Sequence, residues 1–142
     1  MKLLDVGVWL AATWGRHVAH PSVRTWFDQQ DSELAFCRVT EMGLLRLLSN
    51  PSIMREDALT RGATWSVLDR LRADDRVIHL EEPTNLESVW RTLSARDDTS
   101  HKLWTDDYLA AFAQARGLSV VTLDRAFAQR HQSVEVELLV RR

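Results

Sequence analysis

Apolar residues in this chain come in two spacings: short continuous runs, and longer stretches in which they recur every three or four positions. The first spacing is that of buried strands and the second that of helices with an apolar face. LLDV near the start reads as a strand, and VWLAATW, beginning soon after Gly7, as a helix. Pro21 and Ser22 open a second helix, VRTWFDQQ, whose apolar face is Val23, Trp26 and Phe27. ELAFCRV then has strand composition, Thr40 is a good N-cap, and EMGLLRLLSN forms a helix that stops at Pro51. In the middle, the second half of REDALTRGATWSVLDRLRADD reads as a helix, RVIHL as a strand and LESVWRTLSAR as a helix after Pro83. The last third repeats the pattern, with Thr105 as N-cap, DDYLAAFAQAR as helix, Gly117 as its stop and LSVVTLD as strand.

Strands that alternate with helices in this way predict an α/β layered fold with a mainly parallel central sheet. In such a fold the ligand site lies beyond the carboxyl ends of the strands. The 142 residues, 45% hydrophobic and 27% charged, suit a single domain, residues 1–142, with a substantial core. A net charge of −2 gives no global sign of nucleic-acid binding, so any such surface would be a local basic rim. The one cysteine, Cys37, falls inside the apolar stretch LAFCRV; this excludes an intrachain disulfide and predicts a buried core thiol in a reducing compartment. MKLLD meets a charge too soon for a signal-peptide core, and no apolar run approaches membrane-spanning length. The expectation is a cytoplasmic protein with no membrane partner.

Four acids stand where apolar runs end or turn: Asp5 after KLL, Glu41 in VTEMGLLRLL, Asp106 in WTDDYLAAFA and Asp124 in VVTLD. Two lie at strand ends and two at helix starts, so a parallel sheet can gather them at one rim. Like charges gathered there repel unless they are protonated or bridged by a divalent cation, which predicts an acidic metal site. Helical spacing aims Glu41 inward with Leu44, Leu45 and Leu48. It also selects Asp106, which shares a face with Leu109, Ala110 and Ala113, over Asp107, whose face includes Gln114. Singly, each acid is explained as well by helix capping or by the helix dipole. The joint pattern carries the functional reading.

LLDVGVWLAA, VTEMGLLRLLSNP and WTDDYLAAFAQARGLSVVTLDRAF, in that order, resemble the PIN-domain ribonucleases, specifically the VapC toxins of bacterial toxin and antitoxin pairs. The likeness spans most of the chain. Its most specific piece is the last, where an acid, an alanine-rich helix, a glycine, a strand and a Thr-x-Asp-Arg turn follow one another. The resemblance implies a three-layer α/β/α PIN-like fold and places the family's catalytic acids on Asp5, Glu41, Asp106 and Asp124. It makes Asp5, Asp106 and Asp124 metal ligands, directly or through water, and has Glu41 orient or deprotonate the attacking water. It further implies Mg2+ (or Mn2+) as cofactor, an RNA substrate of the tRNA or rRNA kind, a cognate VapB-type antitoxin that blocks the acidic pocket, and a homodimer. Two positions depart from the pattern: Gly7, where many relatives have Asn or Ser, and Ala126, where many carry an extra acid. The second favours one tightly held ion over two.

The implied chemistry is metal-dependent hydrolysis of an RNA phosphodiester, in which the ion polarises a phosphate oxygen, activates water and neutralises the leaving oxygen. Arg46 and Arg125, the basic residues nearest the acids in sequence, are candidate phosphate contacts. Thr122 and Thr105 precede acids and are placed to orient them. His17 and His20 form an H-x-x-H pair without the glutamate of a zinc motif, which predicts a structural role. Trp9, Trp26, Trp65 and Trp90 lie in apolar helical patterns and are expected in the core, whereas Trp14 and Trp104 are candidates for stacking a base or packing a partner. Of the competing readings, a haloacid-dehalogenase-like phosphohydrolase needs a second Asp where this chain has Gly7. A catalytically weakened PIN-fold module that only binds RNA or protein is the alternative to which Ala126 lends weight.

Overall fold

A computed structural model of the chain describes residues 1–140. Five strands form one sheet: β1 (Lys2–Leu4), β2 (Leu34–Phe36), β3 (Val77–His79), β4 (Ser119–Thr122) and β5 (Val136–Leu138). Every pairing is parallel, in the order β3-β2-β1-β4-β5. Parallel neighbours need crossovers, and these are supplied by helices α1 (Val6–Thr13), α2 (His20–Asp28), α3 (Arg38–Leu48), α4 (Pro51–Met54), α5 (Arg61–Arg72), α6 (Leu86–Ser94), α7 (Trp104–Arg116) and α8 (Arg125–Arg130).

Side chains alternate across a strand, and here both faces of the sheet are buried. Leu4, Leu34, Phe36, Val77 and Val121 point to one face, where they meet Trp9 of α1, Phe27 of α2, Leu44 of α3 and Leu68 of α5. Leu3, Ala35 and Val120 point to the other and meet Leu86 of α6, Leu109 and Phe112 of α7 and Phe127 of α8. The result is the layered α/β fold expected from the alternation, in the three-layer α/β/α form that the resemblance implied, and it explains why the strands read as continuous apolar runs. The order of strand addition reverses at the centre: from β1 it runs outward through β2 and β3 on one side and through β4 and β5 on the other. A crevice opens at such a switch point, beyond the carboxyl ends of β1 and β4.

Local boundaries differ from the expected ones in ways that bear on that crevice. Helix α1 starts at Val6, so Gly7 lies inside it and Asp5 is its N-cap. Helix α3 starts at Arg38 rather than after Thr40; Cys37 is the N-cap, and the Thr40 hydroxyl reaches back to accept from the Cys37 N–H at 3.0 Å. Helix α7 starts at Trp104 with Leu103 as its cap, which puts Thr105 in the first turn rather than at the boundary. Gly117 ends α7 in the left-handed region, at φ 71°, as its position after the apolar stretch predicted. A Cβ on Gly43 would stand 2.9 Å from Val6 Cγ2, so this glycine lets α3 press onto α1 beside the end of β1. The apolar pattern did not announce α8 or β5, which are short and only partly buried.

Trp9 is fully buried, stacked on Phe36 at 3.8 Å and edge-on to Phe27 at 6.1 Å. Trp65, by contrast, is 50% exposed and not part of the core. His17 and His20 are structural: His17 Nδ1 accepts from the Ala19 N–H, and His20 Nδ1 meets the Ala11 carbonyl at 2.7 Å. No helix among the described residues is long and apolar enough to cross a membrane. Since Trp9 joins α1, α2 and β2, Trp9→Ala should cost about 3–5 kcal/mol in chemical denaturation. Trp9→Phe, which also removes an indole N–H that has no partner, should cost less than about 1.5 kcal/mol.

Candidate active site

The crevice beyond β1 and β4 is built around one hydroxyl. Thr122, at the end of β4 and fully buried, donates to Asp5 Oδ2 at 3.0 Å and accepts from the Asp124 N–H at 3.0 Å. Asp5 Oδ1 takes the Val6 N–H at 2.7 Å, and the Asp5 N–H donates to the Val121 carbonyl at 2.9 Å. Asp5 is thus held on both carboxylate oxygens and by its backbone. Asp124 caps α8 by accepting from the Ala126 N–H at 2.9 Å, so Ala126 contributes its backbone rather than a side chain. Asp106, in the first turn of α7, accepts from Arg130 Nη2 at 3.0 Å.

These three aspartates share one electrostatic neighbourhood. Burial pushes the Asp5 carboxyl above the usual carboxylate range, with the charges of Asp106 and Asp124 adding to the rise and the Thr122 hydroxyl opposing it. Asp106 is raised in the same way by burial and by Asp124, against the pull of Arg130. Crowded carboxylates of this kind are the donor set of a hard divalent cation that keeps several waters. Among the described residues no three His, Cys, Asp or Glu side chains close a coordination shell as arranged. The Asp106–Arg130 pair accounts for part of this, because a guanidinium stands where a cation would compete.

Glu41 is not in this group. It is 1% exposed, as its helical phase predicted, but its carboxylate is turned to two arginines and a histidine on the β3 side of the sheet. Arg38 Nη1 donates to Oε1 at 3.0 Å, Arg72 of α5 donates to Oε2, and His79 Nδ1 lies 3.1 Å from Oε1. Sequence reasoning missed these partners. Only Arg38 is a helical neighbour, at three residues; Arg72 is 31 positions away.

The expected contrast between Asp106 and Asp107 is corrected. Asp107 is the more buried of the two, at 7% exposure, and its Oδ1 meets His131 Nε2 at 2.6 Å. Helix α7 is buried from Asp107 through Ala113 with no polar break, so its phase could not separate an inward from an outward acid. What separates them is their surroundings, with Asp106 facing Asp5 and Asp124 while Asp107 anchors the end of α8. Arg46 and Arg125 are both exposed; Arg46 lines a groove of about 640 Å³ that reaches Val6 and Thr105, next to Asp5 and Asp106. Arg130, which touches Asp106 directly, was not singled out by its sequence position.

A sheet of this order with acids at its switch point is the arrangement of one nuclease fold, and the comparisons agree. Residues 2–131 match the PIN domain family model, so the chain belongs to the PIN-domain family. Within it the chain is a member of the VapC ribonucleases: it is 37% identical to Ribonuclease VapC41 of Mycobacterium tuberculosis over 99% of its own length and 100% of the relative's. Among solved structures it is similar to M. tuberculosis VapC20, described as a Sarcin-Ricin loop cleaving toxin (TM-score 0.69, 15% identity, covering 91% of this chain and 94% of that one). It is also similar to a chain of VapBC2 from Rickettsia felis bound to a promoter DNA fragment (TM-score 0.68, 12% identity, covering 97% and 98%). At those identities the likeness to solved structures is one of fold.

Two predictions follow from the geometry. A carboxyl raised in the folded state binds its proton more tightly there than in the unfolded chain, so it costs stability as pH rises from the ordinary value of 3.8 through the raised one, and the cost is complete above it. Near pH 7, therefore, millimolar Mn2+ should raise the melting temperature by several degrees, Asp5→Asn should raise that of the metal-free protein, and the metal effect should fade as pH falls into the carboxyl range. Asn still caps α1 through its carbonyl oxygen, and its amide N–H can donate to the Thr122 hydroxyl in place of accepting from it. Separately, Asp107→Ala should cost about 1–3 kcal/mol in denaturant melts because it leaves the buried His131 Nε2 without its partner, while Asp106→Asn should leave stability within about 1 kcal/mol.

Proposed function

We propose that this chain is a divalent-metal-dependent endoribonuclease that hydrolyses RNA phosphodiester bonds and is held in check by a protein antitoxin. The observation that carries the reading is the Asp5–Thr122–Asp124 unit with Asp106 facing it, three carboxylates at the switch point of a PIN fold. Asp5, Asp106 and Asp124 are the residues that would hold Mg2+ or Mn2+. When bound, such an ion supplies Lewis acidity toward a phosphate oxygen and a readily deprotonated water.

The chain's own residues do the positioning. Thr122 and the Val6 N–H fix Asp5 so that its oxygens keep their orientation whatever approaches. Arg130 neutralises Asp106, and its guanidinium is suited to trade that carboxylate for a phosphate of the substrate. Arg46 and Arg125 offer further positive charge at exposed positions around the crevice. Glu41 acts in this arrangement by anchoring Arg38 and Arg72.

Two features support restraint by an antitoxin. The relatives include VapC proteins, and one similar fold was solved in a VapBC complex. An acidic crevice whose own Arg130 already answers Asp106 is also one into which a partner's Arg or Lys would fit.

The purified chain should cut single-stranded RNA with Mg2+ or Mn2+ and stop in excess chelator. Asp5→Asn should lower the rate by about 100-fold or more, on the scale of losing one electrostatic stabiliser. Glu41→Gln should lower the melting temperature and reduce turnover less than Asp5→Asn does. Full activity in chelator would refute the metal mechanism, and no cleavage under any metal would favour the weakened binding module.

A further inference from the structure

We infer that the cleft between the α6–α7 connection and α8 is a subsite for one unpaired nucleotide flanking the scissile phosphate, with its base stacked on Trp104 and its phosphate held by Arg130. The inference rests on the RNA-cleaving reading above and names a part of that site.

The cleft has a volume of about 490 Å³, within the range of small-molecule sites. Trp104 forms one wall and Arg130 part of another. Trp104 is 56% exposed, which leaves indole surface open to the cleft it lines. It is nonetheless held: Trp90 Nε1 donates to the Trp104 carbonyl at 3.3 Å, and the two indoles meet edge-on at 6.3 Å and 79°. Trp90 is itself set edge-on to Tyr108 at 5.4 Å and 90°. An aromatic face fixed in this way and left open to water is a stacking platform, because every base has a π-face to offer it.

Arg130 supplies the second observation. Its Nη2 reaches Asp106 and thus the acid crevice, while its Nε is buried and finds no hydrogen-bond partner among the described residues. Asp107 Oδ1 lies 3.9 Å from that Nε, beyond hydrogen-bond reach. Arg130 therefore lines the cleft while its Nη2 reaches Asp106, so one guanidinium spans crevice and cleft and is placed to hold a phosphate between them. The remaining lining is polar and mixed in charge: Arg96, Thr99, Ser100 and His101 offer donors and hydroxyl groups suited to a sugar and phosphate, with Asp98 and Asp107 beside them. Arg96 is steadied by donating from Nε to the Leu93 carbonyl at 3.1 Å.

The test uses the full chain carrying Asp5→Asn, so that the probe stays intact, and a fluorescein-labelled single-stranded RNA of about eight nucleotides. Affinity is read by anisotropy. Adding Trp104→Ala should weaken binding about ten-fold or more, and Trp104→Phe should restore most of it. Arg130→Gln should make the dependence of log K on log salt shallower by about 0.7. Double-stranded RNA of the same sequence should show no dependence on Trp104. Equal affinity of the Trp104→Ala and parent proteins for the single strand, or no measurable binding by either, would overturn the subsite. A loss of self-association in sedimentation with RNA binding unchanged would instead make Trp104 a protein contact, which also overturns it. Mn2+-dependent cleavage of the same oligonucleotide by the wild-type chain tests the parent reading independently: cleavage with a Trp104-independent affinity sinks only the subsite, and absent cleavage sinks the reading beneath it.

Discussion

The hydroxyl of Thr122 is the point at which fold and chemistry meet. It lies at the carboxyl end of a central strand, is out of reach of water, and bonds to Asp5 on one side and to the Asp124 backbone on the other. A buried hydroxyl that satisfies two neighbours is costly to disturb, because either partner would be left without its bond in a region of low dielectric. The parallel pairing of β1 with β4, Leu4 opposite Val121, sets the two strand ends level so that one side chain can span them. Neighbouring carboxylates are thereby held closer than their charges would choose. This is a strained electrostatic arrangement with a ready remedy in a cation.

Around that point the remaining cations are distributed unevenly. Arg130 answers Asp106, whereas Arg38 and Arg72 converge on Glu41, with the His79 ring beside them. Burying Glu41 at 1% exposure without such partners would be expensive, so the network is a condition for α3, α5 and β3 to meet as they do. It divides the rim into an unneutralised half at β1 and β4 and a neutralised half at β2 and β3. The close contact of Gly43 with Val6 ties the halves together, since it seats α3 against the helix that Asp5 caps. On the far side, the buried Asp107–His131 pair fastens α8 to α7 and so fixes where Arg130 can stand.

Much of this was legible in the sequence, and for local reasons. Strand and helix alternation follow from the spacing of apolar residues, and short runs such as LLDV and SVVT are unbroken because both faces of the sheet are covered. Asp5, Asp106 and Asp124 could be picked out because a carboxylate that ends an apolar run needs a partner or a function. Gly117 could be read as a helix stop because its left-handed backbone is a property of the residue itself. Helix starts were less secure: Thr40 and Thr105 look like caps, but a threonine in the first turn serves as well, and Cys37 and Leu103 take the boundary.

Tertiary structure alone decided which acids share a neighbourhood. Arg130 is 24 residues from Asp106, Arg72 is 31 from Glu41 and Thr122 is 117 from Asp5, separations across which no periodicity carries information. The choice between Asp106 and Asp107 was undetermined for a related reason. A helix buried on nearly every side has no polar face to set its phase, and only the approach of α8 with His131 tells the two carboxylates apart. The chain thus determines by itself where its strands end and which charges stand there. Packing of the helices against one another determines which of those charges are paired with a cationic side chain and which share their surroundings with other carboxylates.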